Sequence, residues 1–148
     1  VNATIANQLA LYLTMYSPLQ MAADFPEHYE QFADAFQFIK DVAVDWQKSK
    51  YLLAEPGDYI VVARKAKKTG KWFAGGVTDE NSRTLDVPMN FLDPGKTYVA
   101  KIYSDASDAD YQKNPQAYVI NEQEVTSESI LPIFMARGGG FAIEFSEK

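Results

Sequence analysis

The sequence predicts a mainly β protein, an antiparallel β-sandwich preceded by a helix–strand–helix segment of α/β type. Apolar residues recur at helical spacing in the first part of the chain, up to about residue 42. Short strand-like runs separated by turn residues follow it. The 148 residues fit one ordinary domain with an additional piece, and are too few for a complete (β/α)8 barrel of about 250 residues. We place the boundary near Asp45.

The first part of the chain predicts two helices around a short strand. Apolar residues at three- and four-residue spacing predict a helix over residues 5–16, which Pro18 ends. The apolar run 19–23 has the length of a buried parallel strand, although a helical turn stays open. Asp24 then precedes a proline and an acid, the pattern of a helix start, and this second helix is expected to end near Val42.

The second part of the chain predicts seven or eight strands in about 100 residues. The first two flank a Lys-rich hairpin with Gly70 near its tip, and Pro94-Gly95 marks a further turn. Pro88 places the third strand at an edge or a strand end. The predicted strands cover residues 58–64, 71–78, 84–89, 97–104, 117–125, 129–135 and 141–145. Turn-separated short strands of this kind are typical of a sandwich, which we expect to pack against the helical segment and to be able to fold alone.

Composition excludes several classes of function. With 14 basic and 20 acidic residues the net charge is −6, whereas nucleic-acid binding requires a basic stripe. The absence of cysteine excludes a disulfide scaffold, a thiolate zinc site and a cysteine nucleophile. No stretch reaches the roughly 18–20 apolar residues of a membrane span. The chain begins at Val1 without an initiator Met, which suggests a fragment, and the residues alone leave its localisation unknown.

Two groups of acidic residues are candidates for a catalytic or metal site. Glu27, His28 and Glu30 lie within one helical turn, where acids are favoured anyway, so we interpret them as solvated helix surface. A single histidine cannot support a Ser-His-Asp triad. A second group lies in one loop, without the spacing of an EF-hand, and is interpreted as a solvated loop held by Asx turns. It comprises Asp105, Asp108 and Asp110.

Three further features have a structural and a functional interpretation. The basic residues 64–71 could bind an anionic partner, but charged hairpin tips of this kind usually prevent edge aggregation. Gly138-Gly139-Gly140 lacks the helix and GK[ST] pattern of a phosphate loop and predicts a turn or bulge where backbones approach closely. Several aromatic residues fit either a sandwich core or a sugar-stacking platform. These are Trp46, Trp72, Phe73, Tyr98, Tyr103, Tyr111 and Tyr118.

A set of segments, in the same order along the chain, resembles the C-terminal end of glycoside hydrolase family 97, a family of α-glucosidases and α-galactosidases. Each segment alone is a weak signal, whereas the ordered set covers nearly the whole chain and is specific. The segments are residues 8–12, 16–24, 26–27 with 29, 38–39, 44–46, 57–59, 75–79, 91–95 and 138–142. The resemblance implies that residues 1–45 are the C-terminal end of a (β/α)8 catalytic barrel and that residues 46–148 are a C-terminal β-sandwich.

The resemblance also implies where the chemistry lies. Such enzymes cleave α-glycosidic bonds with two carboxyl groups, and a calcium ion held by glutamates assists; both sets belong to sequence before Val1. We therefore assign no catalytic and no metal residue in this chain. Asp24 is a hypothetical substrate-binding residue, because it would follow the final barrel strand at the active-site face. The alternative, which we favour, is that Asp24 caps the next helix.

These observations predict a C-terminal portion of an α-glucosidase-like hydrolase that is inactive alone. Its sandwich would support the catalytic barrel or the assembly of the whole enzyme, which we call the parent enzyme. The substrate of the parent enzyme would be an α-linked oligosaccharide. The alternatives are a carbohydrate-binding sandwich module and a purely structural or oligomerisation domain. The resemblance implies a periplasmic or exported parent, and oligomer formation stays open. Separated from the barrel, the helices are expected to have partly uncovered apolar faces.

Overall fold

The structure, a computed structural model, describes residues 3–14, 33–42 and 45–148. Two helices and eight strands lie in these residues. The helices are α1 (Ile5–Thr14) and α2 (Ala33–Asp41). The strands are β1 (Trp46–Glu55), β2 (Tyr59–Ala66), β3 (Trp72–Thr78), β4 (Arg83–Pro88), β5 (Tyr98–Asp105), β6 (Tyr118–Val125), β7 (Ile130–Met135) and β8 (Gly140–Glu147).

The strands form two antiparallel sheets. A six-stranded sheet has the order β1-β2-β3-β8-β5-β6, and a two-stranded sheet pairs β4 with β7. The expected hairpin is β2–β3, in which Tyr59 pairs with Thr78 and Lys65 with Trp72. The predicted antiparallel sandwich is therefore confirmed, and its third predicted strand, β4, lies in the smaller sheet.

One face of the six-stranded sheet packs against β4 and β7 to form the sandwich core. Alternate residues of the strands point into it, as in Tyr98, Ala100 and Ile102 of β5, where the sequence predicted a common face. Phe91 lies edge-on between Trp72 and Phe145, with ring centroids 5.1 and 5.5 Å away. Such edge-to-face contacts add to the burial of apolar area that holds the two sheets together.

The opposite face of the same sheet is covered by the two helices. Phe73 and Tyr103, which point away from the sandwich core, pack against α1 and α2 in a second apolar cluster. Leu9 and Leu13 of α1 are fully buried there. The expectation that the helices have partly uncovered apolar faces is wrong for α1, because the sheet supplies an apolar surface of its own.

Strand β1 was missed in the sequence. Four polar residues, 47–50, interrupt any apolar pattern, and all four are exposed. The pairing of β1 with β2 also shifts register twice, between Trp46 and Lys48 and between Tyr51 and Leu53, which breaks the two-residue period. An exposed edge strand of this kind lacks the alternation by which strands are recognised.

Some predictions lie outside the described residues. These are the short strand 19–23, Asp24 with its substrate-binding hypothesis, and the group Glu27, His28 and Glu30. The assignment of residues 1–45 to the end of a barrel stays a prediction. Neither helix in the described part of the chain is long and apolar enough to cross a membrane.

Candidate functional site

Four parts of the described chain come close together at a junction: the start of α1, the end of β3, the end of β5 and the triple glycine that leads into β8. A Cβ atom at Gly139 would collide with the Asp105 carboxylate, and one at Gly140 with the Gly76 carbonyl oxygen. Gly138 has φ +62° and lies against the Tyr111 ring. The predicted close approach of backbones at the triple glycine is confirmed.

Asp105 is the buried acid of this junction, with 4% of its surface exposed. Its Oδ2 atom accepts hydrogen bonds from the backbone N–H groups of Ala136 and Gly140, both at 2.9 Å. Burial raises the pKa of the Asp105 carboxyl, while hydrogen bonds from Thr4 and the two amides act in the opposite direction. The carboxylate thus holds both ends of the turn that the triple glycine forms.

The interpretation of Asp105 as a solvated loop acid is wrong. Strand β5 continues one residue beyond the predicted end, so Asp105 lies in the sheet, paired with Tyr118, on the same side as Tyr103. The other two acids fit the interpretation. Asp110 accepts hydrogen bonds from the N–H groups of residues 112 and 113, which lower its pKa, and Asp108 accepts one from Asn114.

The start of α1 is hydrogen-bonded into the same junction. Thr4 caps the helix, since its hydroxyl oxygen accepts the Asn7 N–H at 3.1 Å. The backbone N–H of Thr4 donates to the Gly138 carbonyl at 3.2 Å. The side-chain amide of Asn7 donates to the Gly139 carbonyl at 2.9 Å. The Ile5 N–H donates to a backbone carbonyl at residue 115, at 2.8 Å. The first turn of α1 therefore finds its partners in the sandwich.

Glycines on β3 let the helix approach the sheet. A Cβ atom at Gly75 would lie 2.9 Å from Leu13 Cδ1 and 3.5 Å from the Ala10 Cα atom. On the other face, a Cβ atom at Gly76 would collide with the Phe141 ring in the sandwich core. The pair Gly75-Gly76 is thus where the helix, the sheet and the core come closest.

Helix α2 contacts the sheet through a hydrogen bond of Asp34 and through the aromatic ring of Phe38. Asp34 accepts a hydrogen bond from the Tyr118 hydroxyl, and burial together with this carboxylate raises the pKa of Tyr118. Phe38 lies edge-on to Phe73 at 6.1 Å and to Tyr103 at 5.3 Å. These contacts fix α2 to the helix side of the six-stranded sheet.

The aromatic residues named in the sequence fit the core interpretation better than that of a sugar-stacking platform. Trp72, Phe73, Tyr98 and Tyr103 are buried in the two apolar clusters. The other three, Trp46, Tyr111 and Tyr118, are half-buried. An arginine guanidinium lies over the ring of Trp46 and over that of Tyr111, and the Tyr118 hydroxyl donates a hydrogen bond to Asp34. Tyr51 on β1, 73% exposed, was missed because β1 itself was missed.

The basic residues 64–71 are mostly engaged within the fold. Arg64 lies over the Trp46 ring at 5.9 Å, and Lys65 over the Trp72 ring at 5.8 Å. Lys71 forms an ion pair with the buried Glu144, with the two atoms 2.5 Å apart. Lys67 and Lys68 are exposed in the turn. This arrangement matches the structural interpretation of a charged hairpin tip.

We expect Asp105→Asn to change how stability depends on pH. Since the folded-state pKa is raised, the stability linked to this carboxyl is complete below its ordinary value of 3.8 and declines as pH rises toward the folded-state pKa. Asparagine carries no such proton, so the variant should gain free energy of unfolding relative to wild type across that window. Denaturant titrations from about pH 3 to 8 measure the difference.

Asp105→Ala is the control, because it removes the acceptor of two buried N–H groups. A loss of about 2–5 kcal/mol in the free energy of unfolding is expected at every pH. A wild-type-like Asp105→Ala, or a gap between Asp105→Asn and wild type that stays constant with pH, would contradict the assigned role.

Comparison with known proteins assigns the sandwich to one family. The family model described as "Glycosyl-hydrolase 97 C-terminal, oligomerisation" matches residues 45–146. The sequence is 33% identical over 141 residues to a retaining alpha-galactosidase of Bacteroides thetaiotaomicron. It is 28% identical over 140 residues to a probable retaining alpha-galactosidase of Streptomyces bingchenggensis. Each match covers 95% of this chain and 20% of the relative, so the chain spans about a fifth of these curated relatives.

Comparison with solved structures agrees with the family match. A glycoside hydrolase family 97 enzyme from Pseudoalteromonas sp. strain K8, in complex with acarbose, superposes with a TM-score of 0.94 at 46% identity. The match covers 99% of this chain and 23% of that one. A beta-arabinopyranosidase with a TM-score of 0.63 and 15% identity shares the fold alone. With the family model matching most of its length, the chain belongs to glycoside hydrolase family 97, as part of that family's C-terminal region.

Proposed function

We propose that this chain is the C-terminal portion of an α-glycosidase, in which the sandwich supports the catalytic barrel and takes part in oligomer assembly. One observation carries the proposal. Helix α1, which the resemblance assigns to the barrel, has its first turn hydrogen-bonded to the triple glycine and its body packed on β3. Because α1 packs against the sandwich, it would form a rigid connection between the sandwich and the barrel. A flexible linker would not do so.

We propose that the described residues support the enzyme and that the chemistry is performed elsewhere in it. Hydrolysis of a glycosidic bond needs two carboxyl groups at a separation that either admits a water molecule or allows direct attack. In the described residues, the one acid buried at the junction, Asp105, is engaged with backbone amides. Asp24 stays a hypothesis as a residue at the substrate side. The catalytic carboxyl groups are proposed to lie elsewhere in the parent enzyme.

For the substrate we propose an α-linked glucose oligosaccharide. Identity is higher, at 46%, to the Pseudoalteromonas enzyme, whose structures include complexes with acarbose and, for a variant, panose. Panose is a trisaccharide of α-linked glucose. The curated relatives at 33% and 28% identity are named retaining and probable retaining alpha-galactosidases, so an α-galactoside is the second candidate.

Two proposals about the parent enzyme, that it binds calcium and that it is exported, rest on the resemblance alone. In the described ranges, no group of three or more His, Asp or Glu side chains is arranged so that it could hold a metal ion. We propose that the calcium ligands of the parent lie outside them. Export to the periplasm or beyond is likewise proposed for the parent.

The parent enzyme and this chain can be assayed side by side. We expect the whole enzyme to hydrolyse p-nitrophenyl α-glucoside and panose, and the 148-residue chain to hydrolyse neither. Faster hydrolysis of p-nitrophenyl α-galactoside would assign the parent to the second candidate. Hydrolysis by the isolated chain, or activity of the parent unaffected by removal of residues 45–148, would contradict the supporting role.

A carbohydrate-binding module is the second candidate function, and one observation favours it, the exposed ring of Tyr51. Titration of the chain with maltooligosaccharides in a calorimeter tests it. The supporting role predicts no saturable heat. Saturable binding that Tyr51→Ala abolishes and Val119→Ala retains would favour the module.

A further inference from the structure

The two-stranded sheet has an outer face that points away from the sandwich core. Along both strands residues alternate, so that Leu85, Val87, Leu131 and Ile133 point inward and their neighbours outward. We call the outward set the outer β4–β7 face. In cross-strand pairs it consists of Thr84 and Phe134, Asp86 and Pro132, and Pro88 and Ile130.

This outer face is apolar where a solvated sheet is normally polar. Strand β7 contributes Ile130, Pro132 and Phe134, with no charge among them, and Ile130 is 63% exposed. Pro88 adds a fourth apolar side chain at one end. Asp86 is the only charged residue of the six that form the face, and it lies on β4. The apolar part is therefore a continuous stripe along β7.

The other exposed large hydrophobic residues in the described part of the chain stand alone. Tyr51 lies on β1 and Val119 on β6, at opposite edges of the six-stranded sheet. Single exposed hydrophobic residues are ordinary in soluble proteins, whereas a contiguous stripe indicates a contact surface.

The layer order places this stripe opposite the helices. The helices cover one face of the six-stranded sheet through Phe73 and Tyr103, and β4–β7 covers the other face through residues such as Ala74 and Ile102. In the proposed parent enzyme the barrel continues from the helices, on their side of the molecule. The outer β4–β7 face then points away from the barrel and is left for another chain.

The geometry of β4 and β7 favours contact through the face and not through a strand edge. Both strands have six residues, and each contains a proline, Pro88 in β4 and Pro132 in β7. Short strands that contain proline pair poorly with a further strand, because proline has no N–H to donate to it. Such edges cannot extend a ladder, but the apolar side chains above them can pack against an equivalent surface.

We propose that the outer β4–β7 face is a self-complementary contact between two copies of this chain, with the β7 stripe at its centre. This inference rests on the proposed role in oligomer assembly, and it names the surface that performs it. The family model described with oligomerisation spans the whole face, residues 45–146. A two-fold axis brings the same patch together from both copies, so one apolar stripe is sufficient.

Sedimentation equilibrium of the full 148-residue chain over a range of concentrations tests the surface. In a two-fold contact, Ile130→Lys introduces one buried charge from each copy. If each charge weakens association about tenfold, the dissociation constant of the dimer rises about a hundredfold. Thr84→Lys, at an exposed position beside Phe134, should act in the same direction. Tyr51→Lys and Val119→Lys are the matched controls and should leave the dissociation constant unchanged.

The outcomes separate this surface from the broader role. Weakening by Ile130→Lys and Thr84→Lys but not by the controls, with unchanged thermal unfolding of the monomer, is the expected result. If Ile130→Lys disturbs folding, Thr84→Lys decides alone. A wild-type oligomer that both variants leave intact overturns the surface while oligomer assembly stands. A wild-type chain that is monomeric at every concentration overturns both.

Discussion

Residues 46–148 without the helical segment are expected to be less stable by about 3–6 kcal/mol and to self-associate. Removal of residues 1–45 uncovers Phe73 and Tyr103, two large side chains that the helices bury on the sheet. Each such side chain contributes about 1.5–3 kcal/mol through burial. Since domains of this size are stable by only about 5–15 kcal/mol, the loss is a large fraction of the total. Denaturant titration of the truncated and whole chains measures it.

A point variant separates loss of packing from truncation itself. Leu9→Asp places a charge at a fully buried position of α1 and should destabilise the whole chain by several kcal/mol, whereas Gln8→Asp, at a half-buried neighbour, should have a small effect. That the sandwich folds by itself stays a prediction, and a less stable truncated chain is compatible with it. A truncated chain with the same denaturant midpoint as the whole one would contradict the stabilising role of the helices.

Gly140→Ala is expected to cost about 3 kcal/mol or more in the free energy of unfolding. Its Cβ atom would collide with the Gly76 carbonyl oxygen and lie 2.9 Å from the Asn7 Cα atom. Both are backbone atoms, so relief requires the helix to move away from the sheet. The effect should therefore appear both in stability and in the hydrogen bonds of the first turn of α1.

Gly57→Ala is the matched control. Gly57 has φ +82°, an unfavourable backbone for alanine, but nothing lies within 4 Å of a Cβ atom there. We expect a loss of about 1 kcal/mol from backbone strain alone. Thermal unfolding of both variants gives the comparison. If Gly57→Ala proves the more costly of the two, the packing argument at the junction is wrong.

Most of the sandwich could be predicted from the sequence because its strands follow local rules. The hairpin β2–β3 was marked by Gly70 and flanking apolar runs, and β5 by strict alternation. Strand β1 could not be recognised, because it is stabilised on one edge by β2 while residues 47–50 remain exposed. Its position is determined by pairing, which leaves no periodic signal in its own residues.

The junction was predicted in part. Three consecutive glycines indicated a close approach of backbones, but not which elements meet there. The role of Asp105 was missed, although its place two residues after Tyr103 puts it on the same side of the strand. The pairing of α1 with β3 depends on contacts between residues such as Leu13 and Gly75, far apart in sequence. Local patterns contain no information on such contacts.

The central claim is that α1 and the sandwich unfold as one unit, and backbone hydrogen exchange tests it most directly. The amides of Leu9 and Leu13 in α1 should exchange with the same opening free energy as those of Phe73 and Ala74 in β3, because the same global unfolding exposes all four. Exchange of the α1 amides at a much lower opening free energy, while β3 stays protected, would show that the helix is a separate segment attached to an independent sandwich.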